Sequence, residues 1–204
     1  PSPKVLLLDE PLSNLDPSLR EKTRRELKRT IRRVGITTLF VTHEQEEAFE
    51  LGDRVAVLNE GRLEQIGAPE DLFERPATRF VATFIGRSSV LPVVWERGAR
   101  LPGGAVWPAV NTGGFADGTL ADMIVRPEGL SLSALESPAA LAGSILERRY
   151  AGRSTYFVIA LDSGDEVEVL APSGSARTGD RVFVLPAPGG PAPRVYRRPE
   201  AGSS

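Results

Sequence analysis

Val5-Leu6-Leu7-Leu8-Asp9-Glu10-Pro11-Leu12-Ser13-Asn14-Leu15-Asp16 opens with an unbroken apolar run and delivers two adjacent carboxylates at its end. Four apolar residues without alternation predict a strand buried on both faces, as in a parallel sheet flanked by helices. Ligands of such sheets gather at the carboxyl ends of the strands, which is where Asp9 and Glu10 fall. A carboxylate there can hold Mg²⁺, usually through water because the ion dehydrates reluctantly, while its neighbour orients the water that attacks a terminal phosphate. Taken alone, the run reads equally well as an ordinary strand and turn.

A second buried-looking strand follows in Gly35-Ile36-Thr37-Thr38-Leu39-Phe40-Val41-Thr42-His43 and ends on the sole histidine of the chain. A lone histidine is more often structural than reactive. Here, however, the order of Asp9-Glu10, then Ser13-Asn14-Leu15-Asp16, then His43 resembles the nucleotide-binding subunits of ATP-binding-cassette (ABC) transporters, in which a Walker B aspartate, a catalytic glutamate, a D-loop and a switch histidine come in that sequence.

The resemblance implies a role for each matching position. Asp9 would bind Mg²⁺, Glu10 would polarise water, and His43 would contact the terminal phosphate. Ser13, Asn14, Leu15 and Asp16, with Asp9, would border bound ATP, the loop reaching towards a second subunit. Asp16 before Pro17 also has a purely local reading, an N-cap with proline at the first helical position, and the two readings are compatible.

A phosphate cradle of the form GxxxxGK[ST] needs glycines for backbone approach and a lysine for the outer phosphates. Lysine stands only at 4, 22 and 28, never after glycine, and the family's LSGGQ signature is also missing. The chain starts at Pro1, directly before the acidic strand, so the expectation is a C-terminal piece of the resembled domain that binds ATP weakly or not at all by itself. Cutting such a domain is expected to expose apolar sheet surface.

The 204 residues carry a net charge of −2, with 41% hydrophobic and 25% charged residues, which fits one or two globular domains. No apolar run approaches the ~20 residues of a membrane helix, so direct membrane insertion is not expected. The absence of cysteine excludes a disulfide framework, thiolate metal sites and a cysteine nucleophile.

From Pro17 to Val34, Leu19, Thr23, Leu27, Thr30, Ile31 and Val34 recur at helical spacing, with Gly35 as the stop. The basic face of that helix, Arg20 to Arg33, reads as solvated, and nucleic-acid binding is disfavoured because no aromatic residues interleave with the cations. A second helix is expected over residues 44–51, and a hairpin over 54–58 and 62–66. A short helix starts at Pro69, and a further amphipathic segment covers 79–85. The strings GRLEQIGAPEDLF and RPATRFVATFIGR resemble the ATPases of periplasmic binding-protein importers.

Beyond Gly86, strands are expected at 91–95, 120–125, 144–150, 155–161, 166–170 and 181–185, separated by Gly, Pro and Asp turns, as in a small all-β domain. Val125-Arg126-Pro127-Glu128 and the stretch from Gly143 to Val169 resemble the TOBE domain of importer ATPases. Arg126 itself reads as an exposed arginine before a turn, and the Pro- and Gly-rich stretch from Pro186 to Ser204 as largely mobile.

The expected fold class is α/β plus β: residues 1–86 as the C-terminal part of a P-loop-type parallel-sheet nucleotide domain, 87–198 as a TOBE-like, OB-like barrel, and 199–204 as a tail. The resemblance implies a cytoplasmic ATPase subunit of an importer, using ATP and Mg²⁺, pairing with a second ATPase subunit and membrane permease subunits, and peripheral on the inner face of the membrane. The rival reading is a non-enzymatic regulatory or dimerisation module acting through the β domain. The string Arg87-Ser88-Ser89-Val90-Leu91-Pro92-Val93 leans towards iron, polyamine or phosphonate importers over sugar importers.

Overall fold

The computed structural model describes residues 3–199, and these pack as two compact units that divide after Pro76. The first holds β1 (Val5–Asp9), α1 (Pro17–Val34), β2 (Thr37–Val41), α2 (Gln45–Leu51), β3 (Val55–Asn59), β4 (Arg62–Gly67) and α3 (Pro69–Glu74). β1 and β2 pair in parallel with Asp9 opposite Val41, and β3 and β4 form an antiparallel hairpin. The long link from β1 to β2 is what a parallel pair requires, and α1 fills it.

α1 begins and ends where its caps dictate. The Asp16 carboxylate accepts from the backbone N–H groups of Ser18 and Leu19, and Gly35 closes the helix in the left-handed region at φ 68°, its N–H bonding Ile31 O at 2.9 Å.

Two expectations for this unit are corrected. β1 is not buried on both faces: Val5 and Leu7 are exposed, as are Leu39 and Val41 of β2, because among the described residues this sheet has two strands only. The predicted exposure of apolar sheet surface is thereby met. The basic face of α1 is not simply solvated either. Arg20 pairs with Glu44 at 3.2 Å and Arg24 with Glu50 at 2.5 Å, while Lys28 Nζ donates to the Glu50 carbonyl, so one cationic row reads the acidic α2.

The second unit begins with α4 (Arg79–Phe84) and continues through β5 (Ser89–Trp95), β6 (Ala99–Arg100), β7 (Val106–Trp107), β8 (Val110–Asn111), β9 (Thr119–Val125), a 3₁₀ turn (Pro127–Gly129), β10 (Leu130–Ser133), β11 (Leu141–Ala151), β12 (Ser154–Leu161), β13 (Glu166–Pro172), β14 (Arg181–Pro186) and β15 (Arg194–Arg197). One sheet runs β10-β14-β11-β12-β13, with β10 and β13 also approaching each other so that it curls; the other runs β7-β6-β5-β9-β15-β8. Trp107, Met123, Phe157, Ile159 and Val184 lie at the centre of one shared core. Gly143 is required in β11, since a Cβ there would stand 2.5 Å from the Ala160 carbonyl oxygen of β12.

The helix at 79–84, which the sequence reading groups with the residues before Gly86, packs here against β9. Within the stretch read as largely mobile, residues 194–197 form β15, paired between β9 and β8. Apart from Pro199, the expected tail 199–204 lies outside the described residues. Arg126 is not exposed but 8% accessible, and its guanidinium donates to the carbonyls of Ile85 and Arg87. Burial draws its pKa below the ordinary guanidinium value. Among the described residues no helix is long and apolar enough to cross a membrane.

Candidate functional site

The parallel register carries the carboxyl ends of β1 and β2 to one rim, and Glu10 and His43 emerge there together. His43 Nδ1 lies 2.9 Å from Glu10 Oε1, with the imidazole 64% and the carboxylate side chain 46% exposed. Glu10 holds a positive φ of 42°, uncommon for a residue with a Cβ, while its N–H bonds Val41 O at 2.8 Å. Such backbone strain is held by its surroundings and concentrates at functional sites. The hydrogen bond that His43 makes to the Glu10 carboxylate, then the negative charge of Glu10, raises the His43 pKa above 6.5.

The loop after Glu10 folds back on it. Ser13 bonds the Glu10 carbonyl through both its hydroxyl, at 2.9 Å, and its N–H, at 3.2 Å, and Leu12 is buried as the loop's anchor. Asn14 is exposed and Leu15 half-buried. The Asp16 carboxylate is engaged in capping, and the bond from the Leu19 N–H, followed by that from the Ser18 hydroxyl, lowers its pKa. Thus Glu10 and His43 touch, Ser13 sits against Glu10, and Asp16 is turned to α1.

Sequence reasoning missed the supports of this rim. Thr42 donates its hydroxyl to Glu47 Oε2 at 2.7 Å and accepts from the Glu44 N–H at 3.0 Å, and Glu47 is 2% exposed. Thr42, two residues before the N-cap of α2, was the available signal, because a threonine hydroxyl can accept from the backbone N–H two residues on. Arg20, four residues after the cap, was read as part of a charged face.

Among the described residues no cluster of three or more His, Asp or Glu side chains forms a metal cage. Asp9 is exposed at the carboxyl end of β1, next to Glu10. That fits Mg²⁺, which is commonly held by one or two carboxylates together with water and substrate phosphates. The exposed Glu10 and His43 fit a phosphate-facing rim, whereas the 204 residues include no Gly-Lys phosphate cradle.

Residues 123–190 match the family model of the TOBE domain. The spermidine/putrescine import ATP-binding protein PotA 1 of Pseudomonas aeruginosa is 41% identical over 186 residues, 87% of this chain and 50% of that protein. The PotA protein of Ruegeria pomeroyi is 45% identical over 194 residues, 90% of this chain and 52% of its own length. The chain matches the C-terminal part of ABC importer ATP-binding subunits, with a TOBE domain in its second unit. It spans about half the length of the curated relatives it matches. Among solved structures, the cytoplasmic molybdate-binding protein ModG with molybdate bound shows 13% identity and a TM-score of 0.41 over 54% of this chain and 94% of that one.

The chain therefore combines a strand-rich unit that carries the TOBE match with a smaller unit in which Glu10 and His43 are in contact.

Proposed function

We propose that the protein to which this chain belongs is the ATP-hydrolysing subunit of an importer, and that residues 1–86 form the Walker B to switch-histidine part of a P-loop-type nucleotide domain. The observation that carries this reading is the 2.9 Å contact between Glu10 and His43 at the ends of two parallel strands. The names of the relatives, all spermidine/putrescine import ATP-binding proteins, support a polyamine as cargo.

Mg²⁺, when bound with ATP, supplies charge neutralisation to the phosphates. Asp9, at the carboxyl end of β1, would hold the ion. Glu10 uses Oε1 on His43 and keeps Oε2 for a water proton. Glu10 raises the His43 pKa, and the imidazolium form of the ring donates from both nitrogens, Nδ1–H to Glu10 and Nε2–H to a terminal phosphate oxygen. The pair thus fixes the water-polarising carboxylate and a phosphate donor relative to each other before substrate arrives.

The loop Ser13 to Asp16 is held by α1 and faces a second copy of the ATPase subunit in the assembled importer. The complete protein is cytoplasmic, attached to the inner face of the membrane through permease subunits. Uptake of labelled spermidine by cells carrying the complete gene or its E10Q variant tests the reading. Uptake lost with E10Q supports it, and undiminished uptake overturns it.

A further inference from the structure

The guanidinium of Arg20 spans two segments of the candidate site. Its Nη2 donates to the carbonyl of Leu15 at 3.1 Å and of Ser13 at 3.4 Å, while Nη1 donates to Glu44 Oε1 at 3.2 Å. Glu44 follows His43, and the same Oε1 lies 3.9 Å from His43 Nε2. The backbone N–H of Arg20 also bonds Asp16 O at 2.8 Å, so the far end of the loop is tied to the same helical turn. With its side chain 26% exposed, Arg20 makes these contacts in partial shelter from solvent. A planar guanidinium presents its donors in a rigid fork and can hold both segments at once, which a lysine ammonium at the end of a flexible stem cannot do in the same geometry.

We infer that Arg20 is a positioning residue that couples the Ser13–Asp16 loop to the Glu44–His43 turn. A displacement of the loop is transmitted through the Arg20 fork to Glu44 and so to the imidazole. The coupling is a property of this chain's geometry; its bearing on hydrolysis rests on the function proposed above. Arg24 provides the contrast. It joins α1 to α2 through Glu50 and Glu46 but donates to no loop carbonyl, so it clasps the helices without linking the two segments of the site.

Backbone amide NMR of the 204-residue chain tests the coupling without nucleotide. In the wild-type background, E44Q shifts the amide resonances of Ser13, Asn14, Leu15 and Asp16 as well as those beside residue 44. In R20M and in R20K, the second of which retains the charge, E44Q leaves the loop resonances in place. In R24M the loop still responds. Loop shifts that persist in both Arg20 variants, or that vanish equally in R24M, overturn the coupling.

Steady-state ATPase assays on the complete protein give the second readout. R20K lowers kcat about tenfold with KM for ATP unchanged, as expected when reacting groups are misplaced but binding is not. Coupling seen by NMR with an unaltered kcat counts against the catalytic reading of the Glu10–His43 rim, whereas absent coupling overturns the Arg20 proposal whatever the rate.

Discussion

Asp9 of β1 and Val41 of β2 are register partners, so the residues that follow each strand leave the sheet at the same rim, and Glu10 meets His43 there. Because His43 is the only histidine, its imidazole resonances are unambiguous. Its pKa in the folded chain is expected above 6.5, and E10Q should bring it down. A raised folded-state value means that the contact stabilises the fold fully below the unfolded value and ceases to do so as pH rises through the folded one. NMR titration of the two chains checks this; an unshifted wild-type value would show that the pair does not form in solution.

Asp16 makes the opposite prediction at low pH. Its carboxyl is held below 3.8 by the bonds it accepts at the start of α1, so its contribution is present above that value and is lost as pH falls through the folded-state value. Far-ultraviolet circular dichroism should show D16A less helical at neutral pH, with the difference from wild type shrinking under acid. Equal helicity at neutral pH would mean that the cap adds nothing.

The second unit depends on its last strand. Tyr196 of β15 is buried beside Ala82 and Ile124, and burial pushes its hydroxyl up to about 12. Just after β15, Arg198 joins Arg79 in pairing with Asp122, each at 2.8 Å. Spectrophotometric titration should therefore show one of the three tyrosines ionising late, with stability falling as pH rises from the ordinary tyrosine range towards about 12. Truncation after Pro193 should abolish that late step and lower the unit's thermal midpoint. A truncated chain with the wild-type midpoint would refute the structural role given to β15.

Replacing Arg126 tests the other support that the sequence concealed. R126M leaves the carbonyls of Ile85 and Arg87 without this donor, which costs about 1–3 kcal/mol by the usual penalty for a lost buried hydrogen-bond partner. Urea unfolding measures it. An unchanged midpoint would indicate that other groups satisfy those carbonyls.

Elements with strong local signals were legible in the sequence. α1 runs from the Pro17 after its aspartate cap to the Val34 before its glycine stop, and each of the six strands expected after Gly86 lies within a strand of the fold. β15 was concealed because Pro191 and Pro193 precede Arg194-Val195-Tyr196-Arg197, and its four residues gain their stability from two neighbouring strands that are distant in sequence. Arg126 misled for a related reason: whether an arginine is buried depends on which carbonyls the fold brings to it, here from residues 85 and 87. At the rim, the reactive residue types were visible in Glu10 and His43, while their supports were not. Thr42, Glu47 and Arg20 act through contacts across turns, which periodicity does not record.

Glu10, held by His43, is proposed to polarise the attacking water. The most direct measurement is Mg-ATP hydrolysis by the complete protein and its E10Q variant, with nucleotide binding measured in parallel. E10Q is expected to bind ATP as the wild type does but scarcely to turn it over; hydrolysis at the wild-type rate would contradict the role given to Glu10.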